Sequence, residues 1–217
     1  MQAVCDSWMP DWADQRLFNH LLAENGHLVL SIDYRGSTGY GRDCRAAVYR
    51  HMGGKDVDSA LAAVKYLVRE HQIDPGRIGL YGASYGGFYT LMALFTHPGI
   101  FAAGIAMVPV TDWAHYDHGY TSRILNLPYD DEEAYKRSSP IYFAEGLRDN
   151  LLMVAGIEDG NVLVQDTLRL VQRLIELKKG GWDCHLYPTE GHGVGQESGR
   201  YDFYRRTAEF FDRHLRK

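Results

Sequence analysis

Ser84 stands in Gly82-Ala83-Ser84-Tyr85-Gly86, after the apolar run Ile78-Gly79-Leu80-Tyr81 and before Phe88 to Phe95, a stretch compatible with a helix. A strand that turns sharply into a helix leaves the serine alone at the apex with its hydroxyl exposed, the form of a nucleophile elbow. Glycines two residues to either side are needed because neighbouring Cβ atoms would collide in so tight a turn. The plain alternative is an ordinary glycine-rich turn between a strand and a helix. A serine hydroxyl is a poor nucleophile near neutrality, so acyl-transfer chemistry requires a base to take its proton and an acid to orient that base.

The chain offers an acid and a base in the order Ser, Asp or Glu, His, each after a later strand. Leu151 to Ala155 runs into Gly156-Ile157-Glu158-Asp159-Gly160-Asn161, where Asp159 is a candidate acid. Glu158 competes for that role, and an ordinary turn or helix-capping aspartate is the alternative. Leu186-Tyr187 runs into Pro188-Thr189-Glu190-Gly191-His192-Gly193, and His192 is the candidate base. Ten histidines are present. His20, His71 and His214 lie on or at the ends of helices, His27 and His185 at strand edges, His51 in a polar connection and His97 beside a turn-forming proline. His192 alone follows the last strand, with flanking glycines that let a loop carry an imidazole over the elbow. His115 and His118 have no third ligand spaced to join them, so no metal is expected.

These residues need a scaffold that brings strand ends together. Asp11 to Glu24 reads as a helix with Trp12, Leu17, Phe18, Leu21 and Leu22 on an apolar face, whereas Met1 to Asp14 carries no strand signal. His27 to Ile32 is a strand candidate after the Asn25-Gly26 stop. Arg35 to Arg42 is glycine-rich but lacks the endings and spacings of the phosphate-binding motifs, so no nucleotide is expected. Val57, Ala60, Leu61, Val64, Leu67 and Val68 give Asp56 to His71 the helical period. A helix follows from Gly87 to Thr96, then a strand from Phe101 to Pro109 with small or apolar residues throughout, as expected of a strand covered on both faces. Residues 110–140 break the rhythm and read as an insertion above the sheet. A strand from Leu151, a helix from Val162 to Lys178, a strand from Cys184 to Tyr187 and a helix from Tyr201 to His214 complete the alternation. That pattern predicts an α/β fold in one domain, with a mostly parallel sheet covered by helices on both faces.

Composition narrows the function classes. The 217 residues are 45% hydrophobic and 24% charged, with 23 basic against 28 acidic residues. Nothing in that balance suggests a nucleic-acid or anionic-membrane surface. Cys5, Cys44 and Cys184 are odd in number and far apart, so free thiols are the default. No apolar run approaches the roughly eighteen residues of a membrane span, and no signal peptide is evident. The compartment is left open.

Taken together, Gly-Ala-Ser-Tyr-Gly-Gly at Ser84, Asp159-Gly160-Asn161-Val162 and Glu190-Gly191-His192-Gly193 resemble the catalytic domain of the prolyl oligopeptidase family, with its α/β-hydrolase fold. Asp33-Tyr34-Arg35-Gly36-Ser37 fits too, and the segment from Val108 to Arg123 with Leu127-Pro128 is similar to the dipeptidyl-peptidase branch. The resemblance runs from about Trp12 onward. It implies a Ser84-His192-Asp159 triad that needs no cofactor, with the Tyr85 amide as an oxyanion donor. It also implies that Trp113, Tyr116 and Tyr120, with Val110 and Val162, line a pocket for a proline-sized or small apolar group, and that Asn161 sits beside the substrate carbonyl. Plain core packing is the alternative for those aromatics.

Members of the family also carry a β-propeller and an N-terminal strand with a second oxyanion donor, and both are expected to lie outside these residues. Losing one such donor typically costs about 3 kcal/mol. A peptide amide has a poor leaving group, and the remote contacts that would offset it are expected in the propeller, so small acyl esters are the first substrate expectation and peptides cut after proline or another small residue the second. A third reading is a non-catalytic fragment or interaction domain, since a missing N-terminal strand would expose a sheet edge open to a partner or to a second copy in a homo-oligomer.

Overall fold

The structure, a computed structural model, describes residues 2–5 and 14–216, with side chains from residue 17 onward. Its strands are β1 (Gln2–Cys5), β2 (Val29–Ile32), β3 (Gly79–Ala83), β4 (Ala103–Met107), β5 (Asn150–Gly156) and β6 (Trp182–Tyr187). Its α-helices are α1 (Asp14–Glu24), α2 (Arg42–Arg45), α3 (Val57–His71), α4 (Tyr85–Thr96), α5 (His118–Leu125), α6 (Glu132–Ser138), α7 (Val164–Glu176) and α8 (Glu197–Leu215). The six strands form one sheet in the order β2-β1-β3-β4-β5-β6, and every pairing is parallel.

Strand alternation divides the core into two layers, because successive side chains in a strand point to opposite faces. Leu80, Leu151 and Met153 join α3, α4 and α7 on one face. Tyr81, Ile105, Leu152 and Val154 join α1 and α8 on the other. Helix α4 is covered all round, with every residue from Gly86 to Phe95 buried, which is why its sequence shows no polar face.

The largest departure from the sequence reading lies at the N-terminus. Gln2–Cys5 is a strand, and it fills the position between β2 and β3. Its four residues are too short a run to show a period, and its parallel partners Val29–Ile32 and Gly79–Tyr81 are far away in sequence. Among the described residues the sheet edges are therefore β2 and β6. On α1, Phe18 and Leu22 are buried, whereas Leu17 and Leu21 are 54% and 46% exposed, so the buried stripe is narrower than expected. Trp12 lies outside the described residues.

Chain order reverses at β1, since β2 lies on one side of it and β3 on the other. In open α/β sheets, ligands bind beyond the C-terminal strand ends at such a switch point. Ser84 follows β3 there.

Candidate active site

Three loops at the C-terminal ends of parallel strands converge. Ser84 is the residue after β3, Asp159 lies in the turn after β5, and His192 lies in the loop after β6. Ser84 has φ 57° and ψ −116°, a conformation that costs a non-glycine residue about 1–3 kcal/mol. The turn is held by Ser84 N–H donating to the Met107 carbonyl at 2.9 Å and by Phe88 N–H donating to the Ser84 carbonyl at 3.0 Å. A Cβ on Gly82 would come within 2.6 Å of the Gly86 backbone, so the glycine pair exists because the two arms of the turn touch.

His192 Nδ1 lies 2.9 Å from Asp159 Oδ2, and His192 Nε2 lies 2.9 Å from Ser84 Oγ. A carboxylate can only accept, so Nδ1 carries the proton and Nε2 is left to accept from the Ser84 hydroxyl. The Asp159 side chain is fully buried, and its other oxygen accepts from the Asn161 and Val162 N–H groups at 2.8 and 3.0 Å. Each carboxylate oxygen is thus committed. Glu158, the competing acid, is exposed and meets the histidine loop only through its backbone.

The histidine has the longest way to come. From β6 to β3 there are three strand spacings, roughly 14 Å at about 4.8 Å each. Glu190 fixes the returning loop: its buried carboxylate accepts from Gly195 N–H at 2.8 Å, and its carbonyl accepts from Glu158 N–H at 3.0 Å. At Gly156 the two loops pass so close that a Cβ would lie 2.2 Å from the Glu190 carbonyl oxygen. Sequence reasoning gave Glu190 no role; its place two residues before the histidine was the available signal.

The aromatic residues converge beside Ser84. Trp113 stacks on Tyr120 with centroids 5.9 Å apart and meets Tyr116 edge-on at 5.6 Å, while Tyr85 tilts against Trp113 at 5.9 Å. Tyr116 Oη donates to Asn161 Oδ1 at 3.0 Å, which ties this wall to the acid loop. Burial separates the group into layers: Val110 and Trp113 are each 1% exposed and Val162 4%, while Tyr116 is half-buried and Tyr120 is 40% exposed. The accessible surface of the wall is therefore Tyr116 and Tyr120, with the other three backing it.

Two clamps hang this wall on the scaffold. Arg50 makes a two-pronged contact with Asp131 at 2.5 and 3.0 Å, and Asn126, the C-cap of α5, donates to the same carboxylate at 2.8 Å. The Arg50 guanidinium, with help from Asn126, holds Asp131 at a pKa of about 2. Beneath Trp113, Asp112 faces Arg169 at 3.3 Å, and Asp166 accepts from Thr111 N–H at 3.1 Å. His115 contacts Arg169 in this cluster, 3.5 Å from Asp166. The sequence showed these residues without showing that they meet.

Tyr85 is the first residue of α4, so its N–H has no acceptor within the helix, and the positive end of the helix dipole points the same way. A family profile described as "Prolyl oligopeptidase family" matches residues 14–217. The chain belongs to the prolyl oligopeptidase family. It is 32% identical over 197 residues to the "Probable dipeptidyl-aminopeptidase B" of Aspergillus terreus, covering 89% of this chain and 21% of that protein. It is 36% identical over 172 residues to the protein of the same description from Arthroderma gypseum, covering 78% of this chain and 19% of the relative. The crystal structure of Porphyromonas gingivalis dipeptidyl peptidase 4 superposes with a TM-score of 0.90 at 33% identity, over 99% of this chain and 31% of that one. The chain thus spans about a fifth of the length of the curated relatives it matches.

Proposed function

We propose that this chain supplies the catalytic machinery of a serine peptidase of the dipeptidyl-peptidase type. The observation that carries the chemistry is the continuous relay from Ser84 Oγ through His192 to the buried Asp159 carboxylate, with both contacts at 2.9 Å. Ser84 attacks the substrate carbonyl, and His192 Nε2 takes its proton and returns it to the departing amine. Asp159 holds the imidazole tautomer and stabilises the imidazolium. The Tyr85 N–H, at the start of α4, donates to the oxyanion. Water then releases the acyl group by the same steps in reverse roles.

The substrate residue before the cleaved bond, a proline or another small residue, would rest on Tyr116 and Tyr120, backed by Trp113, Val110 and Val162. Because Tyr116 donates to the Asn161 side-chain oxygen, the Asn161 amide nitrogen is the group left to donate to a substrate carbonyl. Peptides take precedence over small acyl esters because the relatives in hand are dipeptidyl-aminopeptidases and a dipeptidyl peptidase, and none of them lends support to the ester reading. The intact relay speaks against a non-catalytic role.

Labelling with a fluorophosphonate at neutral pH tests the chemistry: the native protein should label and Ser84→Ala should not. An unlabelled native protein would sink the reading. Turnover of an Ala-Pro amide beside a p-nitrophenyl acyl-ester series tests substrate class, and the peptidase reading expects higher kcat/KM for the amide.

A further inference from the structure

Asp56 is the first residue before α3 and is completely buried. An aspartate there ordinarily caps the helix, but its side chain makes no capping bond. Instead Oδ2 accepts from Gly53 N–H at 3.0 Å and from the Tyr85 hydroxyl at 2.7 Å. Its carbonyl accepts from the Tyr89 hydroxyl at 3.1 Å, so two tyrosines of α4 hang on this one residue. Oδ1 is buried without a partner among the described residues. A buried carboxylate with one oxygen unsatisfied lowers stability, and departures of that kind gather at functional sites. Its partner is the residue beside Ser84. The Tyr85 ring is wedged between Tyr34, stacked at 5.5 Å, and Trp113 at 5.9 Å, so a hydroxyl anchored at its far end leaves the ring no freedom to swing.

We propose that Asp56 is a positioning residue for the oxyanion donor: by holding the Tyr85 hydroxyl it fixes the side chain of Tyr85, and so the direction in which the Tyr85 N–H points. This rests on the hydrolase reading above. The Tyr85 hydroxyl is given no proton-transfer role in this proposal, since it donates to Asp56 Oδ2. Burial pushes the Tyr85 phenol well above its ordinary range, so the hydroxyl keeps its proton and donates it to Asp56, whose own carboxyl is also raised by burial.

The test compares Asp56→Ala, Tyr85→Phe, the double variant and Asp56→Asn. It reads the fluorophosphonate labelling rate, and kcat and KM on a p-nitrophenyl ester per titrated active site. Each single variant should lose about tenfold in labelling rate and kcat, with KM moved less than about threefold, as for an interaction realised in the transition state. The double should fall within about threefold of the worse single, since both remove the same coupling. Asp56→Asn keeps an oxygen to accept from Tyr85 and should lose less than Asp56→Ala. If Asp56→Ala fails to fold, Tyr85→Phe, which deletes one oxygen, carries the test. Singles that keep native kcat per site, or losses that multiply in the double, overturn the proposal while leaving the hydrolase reading in place. A native protein that does not label overturns both.

Discussion

The triad and the aromatic wall lie side by side, yet they are held by different means. Ser84, Asp159 and His192 sit a few residues beyond the ends of paired strands, and backbone hydrogen bonds fix their loops: Ser84 N–H to the Met107 carbonyl, Glu158 N–H to the Glu190 carbonyl, Asn161 and Val162 N–H to Asp159. Apart from Val162, the wall is made of side chains from the segment between β4 and β5, hung on Arg50–Asp131 at one end and on Arg169–Asp112 at the other. On the proposed function, chemistry would lie on the rigid sheet and recognition on a segment attached by ion pairs. A change in the first should abolish reaction, and a change in the second should alter which substrate is chosen.

The sharpest way to break that contrast is Asp159→Asn. It keeps the shape but frees His192 to take the wrong tautomer, and labelling should slow by about three to four orders of magnitude with the fold intact. A milder loss, measured beside circular dichroism of the folded variant, would show that the backbone alone aligns the imidazole. Tyr120→Ala should do the opposite. Removing the exposed ring of the wall should raise KM for an Ala-Pro amide about tenfold or more, while fluorophosphonate labelling changes less than about threefold. Equal losses in both would make the wall part of the chemistry.

Arg50→Ala unpairs Asp131, the N-cap of α6, without touching a ring. The thermal midpoint should fall by a few degrees and KM for the amide should rise a few-fold, because Asp131 keeps its burial and loses its cation. The pair also predicts a pH response. The folded pKa of Asp131, about 2, lies below its ordinary 3.8, so its contribution is complete above that ordinary value and is lost as pH falls toward 2. In Arg50→Ala this part of the acid transition should shrink to what the Asn126 bond retains, in a series of melts between pH 5 and pH 2.

The smallest effect belongs to neither region. Burial lowers the pKa of His27, His51 and His185, so the fold favours their neutral forms. Their contribution is complete above the ordinary 6.5 and is lost as pH falls below it toward the lower folded values. Melting temperatures taken from pH 8 to pH 5 should decline on that limb. A flat profile would remove these histidines from the account.

Much of the triad was legible in sequence because each member is marked locally: a glycine on each side of Ser84, an apolar strand before Asp159, a glycine on each side of His192. The parallel α/β alternation was legible for the same reason, since period and turn residues are properties of short windows. The wall was only half legible. The run of aromatics was plain, but the layering that buries Trp113 and exposes Tyr120 depends on Trp113 lying between Tyr85 and Tyr120, and nothing in residues 113–120 records that. Strand β1 was missed because a four-residue parallel strand owes its existence to partners elsewhere in the chain.

The sequence by itself marked the residue types that the structure brings together at Ser84, and their order, because glycine turns and strand periods are short-range signals. Only the tertiary structure decided that Asp159 rather than Glu158 meets His192, that Glu190 anchors the loop returning across the sheet, and that a buried Asp56 stands behind the Tyr85 hydroxyl. Those are contacts between segments far apart in sequence, and they are set by packing in three dimensions, which no local pattern encodes.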